Sequence, residues 1–407
     1  MITASSLLLG LLAAAPSPSS AELERAEPER AAPSSPFHGR GPSPAAEPVP
    51  VPPPPSPRPA GRAHASLSEG FGVDSVDGRF GLSLGLLASL RYGVDVVDRE
   101  PTHGFAVRIA RTMLQGHLFG NRLQFQLQPE FAGTVRLLDL NATIDLHPAF
   151  ALLVGQYRPW FTRGFPTNLP LQLSLDRGSV LDAFRVDRDI GVTVLGRPFD
   201  GRLEYYLGVL DGEGLDRDAP RNPQPLVTAR VVGAPLGAMG YSYTTVANAD
   251  HDLPFRFAVA ANAATNEVDR VDTVLDVMTG QLREVPLPSL RTITVGGDVA
   301  LQGWRVQAMG EGFWRRSQPD GEAAQSAWGA YGQASIVAVR KRLELATRVG
   351  VMRLESDPAA RMPIEPGINL YLAGDHAKLQ LRYRCELWVD TGGCGTHGAH
   401  LQGQLWF

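Results

Sequence analysis

From about residue 80 to its end the chain alternates apolar and polar residues with a period of two, and that texture constrains its fold more than any other feature. Leu123-Gln124-Phe125-Gln126-Leu127-Gln128 places a glutamine after every apolar side chain. Leu203-Glu204-Tyr205-Tyr206-Leu207-Gly208-Val209, the run from Leu379 to Leu387 and the terminal Leu401-Gln402-Gly403-Gln404-Leu405-Trp406-Phe407 repeat the pattern. Successive side chains of a strand point to opposite faces, so each such segment has one greasy face and one wet face. No stretch beyond the first residues approaches the roughly 18 to 20 apolar residues that a membrane-spanning helix needs. If such a chain lives in lipid, it does so as a closed barrel, since only closure pairs every backbone group without an edge.

The alternating segments and the turns between them predict an all-β, transmembrane antiparallel β-barrel of about 16 strands, within a range of 14 to 18. The uncertain stretch is 239–252, read either as a long turn or as an extra strand. Connections alternate in length. Those around Phe119-Gly120-Asn121, His147-Pro148-Ala149, Pro198-Phe199-Asp200-Gly201 and Gly374-Asp375 are short, whereas 158–188, 211–225 and 265–290 are long. Short periplasmic turns facing longer extracellular loops are the habit of outer-membrane barrels, and a soluble sandwich has no reason to sort its loops this way. An even strand number puts both ends on the periplasmic side.

Three domains follow. Residues 1–21 read as a signal peptide, with the run Leu7-Leu8-Leu9-Gly10-Leu11-Leu12-Ala13-Ala14-Ala15 and a cleavage site near Ser19-Ser20-Ala21, although no Lys or Arg precedes the run. Residues 22–79, with Pro48-Val49-Pro50-Val51-Pro52-Pro53-Pro54-Pro55, read as a Pro-rich disordered periplasmic leader. Residues 80–407 read as the outer-membrane barrel. At the carboxyl end, Leu405 and Phe407 lie on the outward face of the last strand and resemble the signal by which barrel assembly machinery recognises its clients.

A net charge of −4 argues against nucleic acid as a partner. Lys341 and Lys378 are the sole lysines, so nearly all positive charge is arginine. Five arginines, Arg158, Arg163, Arg177, Arg185 and Arg188, fall in the long segment 158–188, which makes it the place to expect a constriction. Guanidinium groups there favour anions over cations. Asp176, Asp182, Asp187 and Asp189 sit among them, so ion pairs that merely brace the loop are the rival reading. Arg108 and Arg111 have odd separation and cannot both face inward on a regular strand, so either a bulge intervenes or one of them turns to an interface. Arg305, Arg348, Arg382 and Arg384, with the glutamines, are expected to wet the lumen. The six tryptophans, Trp160, Trp304, Trp314, Trp328, Trp388 and Trp406, are expected near strand ends as interfacial girdles. Cys385 and Cys394 flank the last outer hairpin, where a disulfide is possible, although an ideal register opposes Val389 to Cys394. Nine scattered histidines show no zinc-motif spacing, and no nucleophile elbow or phosphate-cradling loop occurs. No enzyme, metal site or cofactor is expected.

Over roughly residues 105 to 214 the chain also resembles the phosphate-selective porin O and P family. The resembling segments are Val107-Arg108-Ile109-Ala110-Arg111 followed by Gly116, then Val154-Gly155-Gln156-Tyr157-Arg158-Pro159-Trp160-Phe161-Thr162-Arg163. Next come Arg188-Asp189-Ile190-Gly191-Val192 and Tyr206-Leu207-Gly208-Val209-Leu210-Asp211-Gly212-Glu213-Gly214. The resemblance implies a sixteen-stranded, homotrimeric, water-filled channel in the outer membrane of a Gram-negative bacterium, passing small hydrophilic solutes and preferring anions such as phosphate. The family's lysine-rich character is absent, and Asp211-Gly212 stands where a typical member has Asn-Gly. The alternative from a different class is a structural or binding barrel, plugged by 158–188 or by the leader.

Overall fold

The computed structural model describes residues 63–407 apart from 68–69, 98, 148, 216–221, 223, 270, 276–281, 287, 356 and 358. The signal-like run and the polyproline stretch therefore lie outside the described residues. Two short strands come first, β1 (Ala63–Ser66) and β2 (Gly70–Asp74). They precede β3 (Gly81–Val97), β4 (Glu100–Leu118), β5 (Leu123–Glu130), β6 (Arg136–His147), β7 (Phe150–Tyr157), β8 (Asp189–Gly196), β9 (Leu203–Leu210), β10 (Gln224–Gly233) and β11 (Leu253–Val268). The hairpin β12 (Val271–Leu275) and β13 (Leu282–Pro286) stands apart as a two-stranded sheet. The wall resumes with β14 (Leu290–Trp304), β15 (Val306–Pro319), β16 (Gln325–Val339), β17 (Leu343–Arg353), β18 (Arg361–Ala373), β19 (Ala377–Trp388) and β20 (Cys394–Trp406).

Each wall strand pairs antiparallel with the next, and β20 pairs back onto β3 from Trp406↔Leu87 to Thr396↔Val97, closing a barrel of 16 strands. Closure leaves the wall no free edge along this ladder. The two faces are sorted as the alternation requires, but inside out relative to a soluble protein. On β19 the inward Lys378, Gln380 and Arg382 are 1%, 1% and 3% exposed, while the outward Leu379, Leu381 and Tyr383 are 37%, 47% and 46% exposed. An apolar outer surface around a polar interior suits lipid outside, not water. Trp304, Trp314, Trp328 and Trp388 belong to that exposed surface, and Trp314 and Trp328 are cross-strand partners. Trp160 corrects the expectation of a girdle position, because it is buried inside the barrel.

The short connections after β4, β8 and β18 lie at one end, here the turn end, and the connections after β7, β9 and β11 leave from the other, the loop end, where the two-residue connection between β3 and β4 also lies. The stretch that was ambiguous in the sequence, 239–252, holds no strand and belongs to the connection 234–252, in line with the long-turn reading. This long turn-end connection carries the single-turn helix α2 (Thr245–Asn248) and folds into the barrel.

The leader also departs from expectation. Part of 22–79 is a strand pair, because β20 covers β3 only from Leu87 upward and leaves Gly81–Leu84 with an open edge. β2 fills that edge in register Phe71↔Leu84 to Asp74↔Gly81, and β1 pairs onto β2. Phe407 exchanges two backbone hydrogen bonds with Leu86, at 2.8 and 3.0 Å, and its ring meets Phe71 edge-on at 5.8 Å. Gly70 makes the approach possible: its φ is 67°, and a Cβ there would stand 2.4 Å from the Leu84 carbonyl oxygen.

Candidate functional site

The connection 158–188 leaves β7 after Tyr157 and turns inward, carrying the short helix α1 (Ser179–Phe184). Its apolar side chains, Trp160, Phe161, Phe165, Leu173, Val180, Leu181 and Phe184, are buried within the lumen. Trp160 stacks on Tyr206 at 4.7 Å and meets Tyr241 edge-on at 4.8 Å, and Phe184 stacks on Phe313 at 5.6 Å. Two wall glycines make room for α1: a Cβ on Gly329 would lie 2.7 Å from the Phe184 ring, and one on Gly350 would lie 2.8 Å from Val180.

A loop drawn into a barrel must satisfy its own backbone, and here the wall does so with charged side chains. Lys378 Nζ donates to the Pro170 and Gln172 carbonyls at 2.5 and 3.1 Å, and Arg382 donates to the Leu173 carbonyl. Arg348 Nη1 donates to the carbonyls of Asp176 and Arg177, both at 2.9 Å. Glu311 accepts the main-chain N–H groups of Arg163 at 2.9 Å and Gly164 at 2.8 Å, and the Tyr331 hydroxyl at 2.6 Å. From the turn end, the connection 234–252 meets the loop. Thr167 Oγ1 donates to the Tyr241 carbonyl at 2.8 Å, Arg163 Nη2 to the Gly240 carbonyl at 2.5 Å, and the Tyr243 N–H to the Leu171 carbonyl at 3.0 Å.

The arginines singled out in the sequence do not all meet. Arg111, Arg158, Arg177 and Arg188 converge on the β4–β6 side of the lumen. Arg111 Nε donates to Glu130 at 2.6 Å, and Arg188 grips Asp139 through two bonds of 3.0 and 3.2 Å. Arg158 and Arg177 have no carboxylate partner among the described residues. Both donate to the carbonyls of Phe165 and Thr167, and Arg158 also donates to Asn168 Oδ1 at 2.7 Å. Burial pushes the Arg158 guanidinium down to about 9, Asp139 opposing the shift and Arg188 and Arg111 adding to it. Burial, then Arg158, Arg188 and Arg111, hold Arg177 well below the ordinary arginine value. Guanidinium groups keep their proton in proteins, so two cations are held here in a buried place, with neighbouring arginines adding to the cost of burial.

A bulge resolves the parity of Arg108 and Arg111. Leu90 pairs with Val107 and Ser89 with Ile109, leaving Arg108 as the extra residue. Its guanidinium lies 3.9 Å from Asp176, which Arg91 binds at 2.8 Å. Arg185 pairs with Asp182 and Asp187 at 2.5 and 3.0 Å, at the mouth. Arg163, expected to line a passage, is fully buried over the Tyr241 ring, because its main chain is held by Glu311. Arg305 sits in a turn, half exposed and 3.9 Å from Asp252, rather than on the lumen. Above the packed loop opens a vestibule of about 920 Å³, lined by Phe184, Arg185, Asp187, Arg315 and Glu355 among others.

No protein-family profile matches the chain, and no curated protein does either. Solved structures do. OmpT of Vibrio cholerae, expressed in the outer membrane, matches with a TM-score of 0.54 at 8% identity, over 81% of this chain and 98% of that one. The outer membrane channel DcaP of Acinetobacter baumannii matches with a TM-score of 0.54 at 11% identity, over 81% and 97%. The anion-selective porin from Comamonas acidovorans matches with a TM-score of 0.52 at 12% identity, over 81% and 100%. The fold is that of outer-membrane porins. The resemblance drawn from residues 105 to 214 is thus met at the level of the porin fold.

Within this porin fold the sequence missed the anchors, Lys378, Glu311, Tyr241 and Tyr331. Their signal was available in part: inward parity on a strand marks Lys378 and Glu311, but not what they hold. Cys385 and Cys394 are bonded, with Cα atoms 6.1 Å apart. A register shift after Glu386 sets Leu387, not Val389, opposite Cys394, and this brings the two cysteines within reach.

Proposed function

We propose that the protein is an outer-membrane porin whose solute path is narrowed by the inward loop 158–188 and prefers anions, phosphate among them. The observation that carries this reading is the convergence of Arg111, Arg158, Arg177 and Arg188, two of them without a carboxylate partner among the described residues. A positive potential at a narrow, low-dielectric place lowers the barrier for anions and raises it for cations. In this reading the loop end faces outside and the turn end the periplasm. Residues 1–21 direct export, Leu405 and Phe407 serve assembly, and three copies associate. The convergence also supports placing the chain near the phosphate-selective porins.

A second reading, a plugged structural or binding barrel, draws on the meeting of 158–188 with 234–252 and on the bonding of both to the wall. Planar-bilayer recording of the full protein separates the two. The porin reading expects single-channel steps with an anion-favouring reversal potential, weakened in the double variant Arg158→Ala, Arg177→Ala. A cation-favouring potential removes the anion preference. Silence from the wild type, with steps after Glu311→Ala frees the loop, favours the plug.

A further inference from the structure

On the lipid-facing side of the wall strands, the register places formal charge at Glu267, Arg291, Arg316 and Arg353 and nowhere else among the described residues. All of these lie at the loop end of β11–β17. Neighbouring residues show the sorting of faces. Arg315 turns inward and binds Glu355 at 2.8 Å, whereas Arg316 is exposed on the outside. Met352 is buried within and Arg353 is exposed. Arg291 is paired with Glu267 at 2.8 Å. Arg316 and Arg353 have no acidic partner among the described residues.

The ladder sets these two arginines around a pair of tryptophans. Val295, Trp314, Trp328 and Arg353 form one row across β14–β17, and Arg316 stands one outward step above Trp314. Exposed tryptophans at one level mark the membrane boundary, so both guanidinium groups stand at the depth of lipid headgroups. From the spacing of strands and residues, the Cβ atoms of Arg316 and Arg353 lie about 12 Å apart. Two extended arginine side chains close that gap onto one phosphate. Below the tryptophans, β15 and β16 present the outward pairs Gly312↔Ala330 and Gly310↔Gly332, flanked by the exposed Val299 of β14 and Val349 of β17. A Cβ on Gly310, Gly312 or Gly332 would meet its nearest neighbour at 3.4, 3.8 or 3.7 Å, ordinary contact, so the packing of the chain itself does not demand glycine there. The result is a shallow apolar groove running down the wall from the tryptophans.

A guanidinium at the edge of hydrocarbon is stabilised by an anion at the same depth, and phosphate oxygens match its donor fork. The wall of a second copy of the chain supplies no free anion, because its outward acid among the described residues, Glu267, is already bound by Arg291. A lipid supplies both an anionic head above and an alkyl chain below. We infer that Arg316 and Arg353, with Trp314 and Trp328, bind the phosphate headgroup of an outer-leaflet glycolipid, an acyl chain of which lies in the groove of β15 and β16. The inference rests on the reading that the loop end of an outer-membrane porin faces outside.

Native mass spectrometry of the full-length protein in detergent, titrated with bisphosphorylated lipid A, tests this, with channel recording on the same preparations. The wild type is expected to bind lipid A, and the double variant Arg316→Gln, Arg353→Gln to bind it more weakly by about tenfold or more. Conductance is expected to stay as it is, since both side chains point away from the lumen. Arg122→Gln, at the turn end, is expected to bind as the wild type does, and the double variant Arg316→Lys, Arg353→Lys to fall between. Dephosphorylated lipid A is expected to bind the wild type and the glutamine variant alike. Equal binding of lipid A by the wild type and the glutamine variant overturns the inference, as does an equal loss with the dephosphorylated lipid. Displacement of lipid A by millimolar inorganic phosphate would make this a site for a free anion and overturn it too. A changed oligomeric state with lipid binding intact would make the face an interface between copies, with the same consequence. Arginine-dependent binding by a protein that conducts no ions upholds the site and removes the porin reading alone, whereas a conducting protein that binds no lipid A removes the site alone.

Discussion

Arg158 and Arg177 share both of their main-chain acceptors, the carbonyls of Phe165 and Thr167. One guanidinium would satisfy those oxygens, so the second adds mainly repulsion and desolvation. Arg177→Met is therefore expected to leave the loop seated and to raise the unfolding free energy in denaturant titration by about 1 kcal/mol, while lowering anion preference. A loss of stability would mean that Arg177 braces the loop. Glu311 has the opposite character. Its removal strands two buried N–H groups, at about 1 to 3 kcal/mol each. Glu311→Ala is expected to expose 158–188 to trypsin, which cuts after arginine, with Glu311→Gln falling between it and the wild type. Equal resistance in all three would show that the aromatic packing suffices to hold the loop.

At the scale of elements, the barrel strands were legible because lipid and water read the two faces of a strand separately, and period two records this directly. The β1–β2 hairpin was not legible. Ala63-His64-Ala65-Ser66 is short and weakly patterned, and it becomes a strand because β3 outruns β20 and presents unpaired backbone. Deleting residues 63–74 is expected to leave the barrel assembled while speeding amide exchange at Gly81–Leu84, read by mass spectrometry. Unchanged exchange would show that another segment takes that edge. The connection 234–252 was ambiguous for a related reason. Tyr241 and Tyr243 carry β-favouring side chains, but their place is set by partners on a loop some 70 residues away in sequence.

For the whole molecule, a barrel built on these strands buries charge inside and leaves Leu, Val, Ile and Trp outside, so its stability belongs to the wall. The loop 158–188 is held inside that wall by side chains of the strands rather than forming part of it. Strand number, direction and face followed from the sequence alone, since side-chain alternation is local and closure follows from the need to pair every backbone group in lipid. The cluster of arginines on 158–188 was also legible, as charge within a long segment between strands. Which of them meet, and which of them are spent, only the tertiary structure decided. Arg163 is buried within the inward loop, Arg185 sits at the mouth, and Arg158 and Arg177 bind main-chain carbonyls, because the inward path of a loop depends on contacts with strands far off in the chain that no local pattern encodes.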